Sequence, residues 1–319
     1  MNGPLRLRHG AAPVETLARL VGNTPLVRLR RIGAELPAIR IYAKCEFANP
    51  GGSVKDRAAL RMIEAALADG RFGPGRTLVD STSGNTGVAY AWICAALGIP
   101  CALVMPSNVS AARKRIAQAF GAELVFSDPL EGSDGAIRKA RELVAGNPDR
   151  WFYPDQYSNP ENPRAHELGT AVEIAEALDG RVAAFVAGIG TSGTVMGASR
   201  GLRALAPGVR CFAVEPAEPL HGLEGLKHMA SSIVPAIYRE EELDGKLSMP
   251  TAEGWAMAER LGREEGLRVG HSAGAAVAGA LAVARRMAEA GERGNVVTVL
   301  PDRADRYFEP RRWDRRTGW

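Results

Sequence analysis

The sequence predicts an α/β protein built on open, mostly parallel sheets. Three observations carry this expectation. Short apolar runs alternate with helical patterns along almost all of the 319 residues. The runs are rich in Val and Leu with little polar alternation, as strands buried on both faces are. Each succession of strand, helix and strand implies a right-handed crossover within one sheet. The length suffices for two packed domains or one large α/β unit.

Taken in order, strands are expected over 39–43, 78–79, 101–105, 123–126, 183–186, 211–214 and 296–300. Helical patterns fill the intervals, over 54–68, 86–97, 110–120, 132–145, 164–178, 193–205, 251–265 and 273–290. The stretch 87–106 has no charged residue and is long enough to span a membrane. Gly98-Ile99-Pro100 divides it, so a buried helix followed by a buried strand is expected instead. Residues 216–250, rich in Gly, His and Pro, are expected to form a long loop, and such loops often carry function.

Composition narrows the class. Hydrophobic residues make up 46% and charged residues 24%, which promises a sizeable core. Lys plus Arg number 40 against 36 Asp plus Glu, a net charge of +4 too even to argue for nucleic acid. The four cysteines, Cys45, Cys94, Cys101 and Cys211, show no C-x-x-C spacing. Neither a zinc site nor a redox pair follows, and no metal is expected. Buried free thiols and a cytoplasmic location are expected, because the N-terminus lacks an apolar signal core.

Open parallel sheets bind ligands where strands hand over to helices. Three of these handover points are rich in Gly, Ser and Thr, and four segments stand out in all. The first is Asn49-Pro50-Gly51-Gly52-Ser53-Val54-Lys55-Asp56-Arg57, with Ser53 as helix cap and Lys55 in the first turn. A cation at the positive end of a helix dipole is disfavoured, which lowers the amine pKa toward what Schiff-base chemistry needs. The same residues would also serve a plain capped helix with a surface lysine.

The second is Thr82-Ser83-Gly84-Asn85-Thr86-Gly87, where hydroxyls and helix N-terminal amides make an anion nest fit for a carboxylate. The third is Gly188-Ile189-Gly190-Thr191-Ser192-Gly193-Thr194. Gly188, Gly190 and Gly193 satisfy G-x-G-x-x-G, and Glu215 ends the next strand, as in a dinucleotide-binding unit. Alternatively, Gly190 to Thr194 cradle one phosphate with amides and hydroxyls; the segment by itself leaves both open. The fourth, Gly270-His271-Ser272-Ala273-Gly274, opens a helix and matches G-x-S-x-G. A hydrolase triad of that order needs a later His, and none follows His271.

Together these segments resemble the cysteine synthase family of pyridoxal-phosphate enzymes, the fold type that includes cystathionine β-synthase and threonine dehydratase. Gly22-Asn23-Thr24-Pro25-Leu26-Val27 looks like the family's N-terminal signature. Asn49 to Arg57 looks like its lysine motif, Thr82 to Gly87 its carboxylate loop and Gly190 to Thr194 its phosphate cup. Pro301-Asp302 with Arg306-Tyr307 looks like its C-terminal signature. The resemblance implies two open, mostly parallel-sheet, three-layer domains of the tryptophan synthase β-like kind, with the cofactor in the cleft between them. The smaller domain would span 35–157 and the larger 12–34 plus 158–319.

By the same resemblance, Lys55 would hold pyridoxal 5'-phosphate and move the α-proton. Asn85 would bond the cofactor's phenolic oxygen. Gly190, Thr191, Ser192, Gly193 and Thr194 would hold its phosphate, and Ser272 would meet its pyridine nitrogen. Thr82, Ser83, Gly84, Thr86 and Gln156 would bind the substrate carboxylate. The implied reaction is β-replacement through an aminoacrylate, yielding cysteine in a cytoplasmic homodimer.

Leu223-Glu224-Gly225-Leu226-Lys227-His228-Met229, with Glu131 to Gly135, looks like the subgroup that uses O-phosphoserine and a small sulfur-carrier protein ending in a thiocarboxylate. Lys227 would pair with the phosphate leaving group, or else face solvent. O-acetylserine with sulfide is the commoner pairing in the family. A related enzyme making cystathionine or diaminopropionate, and a catalytically idle homologue that binds a partner, are the alternatives. Intact Lys55, Asn85 and Ser272 argue against the idle one. The end of the chain, with Trp313 and Trp319, is either a cover for the cleft or a loose tail.

Overall fold

Ten strands form two sheets in the computed structural model, which describes residues 15–82 and 84–307. The larger sheet runs in the order β1 (Leu26–Arg28), β2 (Ile39–Cys45), β10 (Gly294–Leu300), β7 (Ala184–Gly188), β8 (Arg210–Pro216) and β9 (Gly245–Met249). Only the β1–β2 pair is antiparallel. The smaller sheet, in the order β5 (Glu123–Ser127), β4 (Cys101–Pro106), β3 (Thr77–Ser81) and β6 (Trp151–Phe152), is wholly parallel.

Helices cover both faces of each sheet, which is why the strands read as unbroken apolar runs. In the smaller domain, Leu78 and Leu103 pack under α1 (Lys55–Ala68) and α2 (Asn85–Leu97), with α3 (Ala111–Ala119) alongside. Val79, Ala102 and Val104 point the other way, onto α4 (Gly132–Gly146). In the larger domain, α5 (Glu161–Ala165), one π-turn at His166–Thr170, α6 (Ala171–Ala177) and α7 (Gly193–Leu205) lie on one face. The face opposite carries α8 (Thr251–Glu265) and α9 (His271–Glu289). Gly197 and Gly201 let α7 sit close to its neighbours: a Cβ on either would overlap Pro163 or Ala171.

The expected helices are all present, and the charge-free stretch resolves into α2, closed by Gly98 at φ 68°, and β4. Among the described residues no helix is long and apolar enough to cross a membrane. All four cysteines are buried and free. Three strands were not expected: β1 and β6 have three and two residues, and β9 closes what was expected to be loop. The alternating burial of β9 is that of an edge strand rather than a buried run.

The domain boundary expected at residue 35 also needs correction. β2 exchanges hydrogen bonds with β10 along its whole length, so 39–45 belong to the larger sheet. Residues 12–14 and the tail with Trp313 and Trp319 lie outside the described residues.

Candidate active site

Segments that follow the carboxyl ends of β2, β10, β7 and β3 line one cleft, as the switch-point rule for open sheets requires. Its larger chamber, about 400 Å³, is bordered by Lys55, Thr82, Gly84, Asn85, Thr86, Gln156, Gly190, Thr191 and Lys227. A deeper recess of about 40 Å³ is bordered by Lys55, Asn85, Gly190, Thr191, Ser192, Gly193, Thr194 and Ser272. All expected site residues that are described therefore meet in one place; Ser83 lies outside the described residues.

The lysine segment is shaped by its glycines and Asp56. Gly52 takes φ 77°, and Gly51 N donates to Asp56 Oδ2 at 2.5 Å. Trp92 Nε1 donates to Asp56 Oδ1 at 3.1 Å, and a Cβ on Gly51 would overlap both partners. Helix α1 begins at Lys55 itself. Val54, not Ser53, takes the cap position, although Ser53 Oγ accepts from Lys55 N at 3.3 Å.

Two residues on, Arg57 is buried among carboxylates that bridge the domains. Its Nε donates to Glu46 Oε2 at 2.6 Å, and Nη1 and Nη2 reach Glu173 at 2.6 and 2.7 Å. Lys44 Nζ joins Glu173 at 2.5 Å. Burial pushes the Glu173 carboxyl up, but Arg57 and Lys44 outweigh it and hold it at about 2. This quartet fixes the first turn of α1 against the larger domain, and with it Lys55.

Burial pushes the Lys55 amine below the ordinary lysine range, while Asp302 and Glu46 oppose the shift. Desolvation is thus the main cause, where the sequence pointed to the helix dipole.

The 188–194 turn is built as a cup. Ser192 sits at φ 72° ahead of α7, which turns successive N–H groups toward one point. Its Oγ is buried without a partner. A Cβ on Gly190 would overlap Gly225 O, and one on Gly193 would overlap the Asn162 amide. Asn162 Nδ2 donates to Thr191 Oγ1 at 3.0 Å and to Gln156 O at 2.7 Å, tying the cup to the other side of the cleft. Thr194 Oγ1 lies 3.3 Å from His166 Nε2, and burial pulls His166 well below its usual pKa, which keeps the ring neutral. The dinucleotide alternative loses its acidic residue: Glu215 accepts from Met229 N at 3.0 Å and pairs with Lys246 at 3.2 Å.

On the smaller domain, Thr86 Oγ1 donates to Gln156 Oε1 at 2.8 Å, and Thr82 Oγ1 accepts from Gly87 N at 3.1 Å. A Cβ on Gly84 would meet nothing within 4 Å. Ser272 is buried in the first turn of α9, whose cap is Gly270. His271 stacks on Trp255 with ring centres 4.3 Å apart.

Lys227 borders the chamber with its Nζ 5.2 Å from the Tyr157 ring centre, and burial lowers its pKa. Arg113 of α3 and Glu224, also on the chamber wall, form an ion pair between the domains. Asn162, Arg113 and Glu224 were not marked as site residues by sequence. Asp302 and Tyr307 stood out only as part of a terminal signature.

A model of the family described as pyridoxal-phosphate dependent enzyme matches residues 17–302. The chain is 48% identical over 296 residues to a cysteine synthase of Aquifex aeolicus, covering 92% of this chain and 90% of that protein. It is 39% identical to a cysteine synthase of Staphylococcus aureus, covering 93% and 96%. Among solved structures, a cysteine synthase from Entamoeba histolytica matches with a TM-score of 0.88 at 34% identity, covering 96% and 92% of the two chains. An O-acetylserine dependent cystathionine β-synthase from Helicobacter pylori matches with a TM-score of 0.84 at 34% identity, covering 93% and 98%.

The chain belongs to the family of pyridoxal-phosphate-dependent enzymes, with the tryptophan synthase β-like fold. The cleft fits that cofactor on two counts. It offers a half-buried amine with a lowered pKa for an aldehyde, and an unpartnered buried hydroxyl in a glycine cup for a phosphate.

Proposed function

We propose that this protein is a cysteine synthase, replacing the β-substituent of a serine-derived amino acid with sulfur. The observation that carries the proposal is the half-buried Lys55 amine with its lowered pKa, set between a glycine cup and a hydroxyl-rich loop. Lys55 would hold pyridoxal phosphate by its aldehyde carbon, and Asn85 would bond its phenolic oxygen. Gly190, Thr191, Ser192, Gly193 and Thr194 would hold its phosphate, with Ser272 at its ring nitrogen. When bound, the cofactor supplies an electron sink for the charge that develops at the substrate's α-carbon.

The chain's own residues do the rest. Thr82, Ser83, Gly84, Thr86 and Gln156 bind the substrate carboxylate and orient the α-carbon. Lys55 Nζ takes the α-proton, and burial keeps more of the amine neutral for that purpose. Ser272 would offer a neutral hydroxyl, too weak an acid to protonate the ring nitrogen and without the negative charge that would hold a proton there, which favours loss of the β-substituent over transamination. The leaving group departs with its electron pair, sulfur bonds to the β-carbon, and Lys55 Nζ returns the proton to the α-carbon.

The substrate we propose is O-phosphoserine rather than O-acetylserine. Lys227 supports this: a dianionic leaving group would offset the burial that lowers its amine's pKa. The sulfur donor we propose is a small carrier protein with a C-terminal thiocarboxylate, whose acyl–sulfur bond is then cleaved by water to release the cysteine thiol and the carrier's carboxylate, and the enzyme a homodimer. Exposed Leu17, Leu20 and Val27 support an apolar partner surface.

Visible absorption and turnover test the proposal together. The purified protein is expected to be yellow; Lys55→Ala should abolish the band and cost on the order of a thousandfold in turnover. A protein that takes up no pyridoxal phosphate overturns the proposal. Lys227→Ala should cost about tenfold in kcat/KM for O-phosphoserine, about 1.4 kcal/mol, and little for O-acetylserine. Equal losses on both esters would remove Lys227 from the leaving-group site and leave the enzyme class standing.

A further inference from the structure

We infer that Asp302 is the positioning residue of the cofactor lysine, a buried carboxylate that orders Asn85 and supplies the negative charge against which Lys55 carries its proton. The inference depends on the proposed role of Lys55.

Asp302 lies two residues past the end of β10, the strand between β2 and β7, and is 1% exposed. The backbone around it is stitched to the lysine segment. Val54 N donates to Pro301 O at 2.9 Å, and Asp302 pairs across an antiparallel bridge with Ser53. Gly270 N donates to Asp302 O at 3.2 Å, at the entrance to the helix that carries Ser272. One residue therefore registers the lysine and the Ser272 helix against each other.

The side chain does a second job. Asn85 Nδ2 donates to Asp302 Oδ2 at 2.5 Å, and Tyr307 Oη donates to the same oxygen. An ionised carboxylate only accepts, so it dictates which end of the Asn85 amide turns toward it. Burial raises the Tyr307 phenol above its ordinary range, so it stays a donor.

Asp302 borders the deep recess together with Lys55 and Asn85. The ionisable groups acting on Lys55 are Asp302 and Glu46, and Lys55 in turn acts on His166. Glu46 already accepts from Arg57 at 2.6 and 2.9 Å, and His166 is kept neutral by burial. Desolvation alone would make a protonated Lys55 costly, yet the proposed reaction needs Lys55 to hold a proton between removing it and returning it. Asp302 opposes the desolvation and makes that protonated state accessible.

The test reads the proton rather than the turnover. Full-length protein freed of cofactor is mixed with pyridoxal phosphate over a pH series, and the pH midpoint of capture is read from visible absorption. Capture requires neutral Lys55. Asp302→Asn removes the charge but keeps the shape, so the midpoint should move down by on the order of one pH unit. Asp302→Glu should stay near wild type. Asp302→Ser, smaller and uncharged, should move with Asp302→Asn and stands in for it if the amide variant does not fold.

An unchanged midpoint in a folded neutral variant, or an equal shift in Asp302→Glu, overturns the inference. A wild-type protein that captures no cofactor overturns instead the role of Lys55, so the two failures are distinguishable.

Discussion

The two loops across the cleft share a composition of glycine and hydroxyls but are built on opposite terms. In the 190–194 cup the protein itself demands the glycines: a Cβ on Gly190 or Gly193 would overlap Gly225 or Asn162. In the 82–87 loop, Gly84 faces open space. The layers beneath differ as well. Under the cup lie apolar side chains such as Phe185, Ala187 and Val195. Beneath the other loop lie buried polar atoms of Asp80, Ser81, Tyr90 and Tyr153, with Tyr90 hydrogen-bonded to Asp80. The difference teaches that the cup is set before any ligand arrives, whereas the carboxylate loop has room to respond to one.

The largest expected effect tests the rigid side. In Gly193→Ala the new methyl strikes Asn162, which cannot swing away without dropping both Thr191 and Gln156. Overpacking of this kind costs roughly 1–3 kcal/mol. We expect a lower melting temperature and at least about tenfold weaker pyridoxal phosphate binding, about 1.4 kcal/mol. A variant that binds the cofactor as wild type does would mean that the cup is as adjustable as the loop opposite.

A middle-sized effect probes the polar layer under the adjustable side. Burial pushes the Asp80 carboxyl up to about 7, and Asp155 adds to the shift. The folded value lies above the unfolded 3.8, so the stabilising contribution is full below about pH 4 and is lost as pH rises through about 7. The slope is about 1.4 kcal/mol per pH unit within that window. Asp80→Asn should flatten urea-denaturation stability over the same range. An unchanged slope would mean that Asp80 is ionised throughout.

The same contrast explains what was legible in the sequence. Most helices announced themselves by periodicity, α2 by an apolar run of helical length, and the site loops by glycines and hydroxyls at the start of a helix, because those signals are local. What was missed is non-local. Asn162 meets Thr191 from 29 residues away, and Asp302 meets Asn85 from 217. Neither pairing leaves a mark in its own segment. The boundary at residue 35 failed for the same reason, since nothing in 39–45 says that its neighbour is 294–300. The lowered pKa of Lys55 was anticipated in direction but ascribed chiefly to the helix end, because burial is not visible in a short segment.

The smallest effect on the fold, and the sharpest on the comparison, is expected from Gly84→Ala. The backbone there has φ −127° and ψ −146°, outside the left-handed region, so alanine needs no positive φ. The added Cβ touches no protein atom within 4 Å, so stability should change by less than about 0.5 kcal/mol. Visible absorption should be preserved, because Gly84 does not border the deep recess. It does border the chamber beside Thr86 and Gln156, where the substrate carboxylate is proposed to bind. There a methyl would hold the ligand away from the backbone amides, and we expect KM for the amino-acid substrate to rise roughly tenfold, about 1.4 kcal/mol. A normal KM would show that this glycine serves neither the protein's packing nor the ligand's approach, and the carboxylate site would then have to lie deeper, toward Gln156.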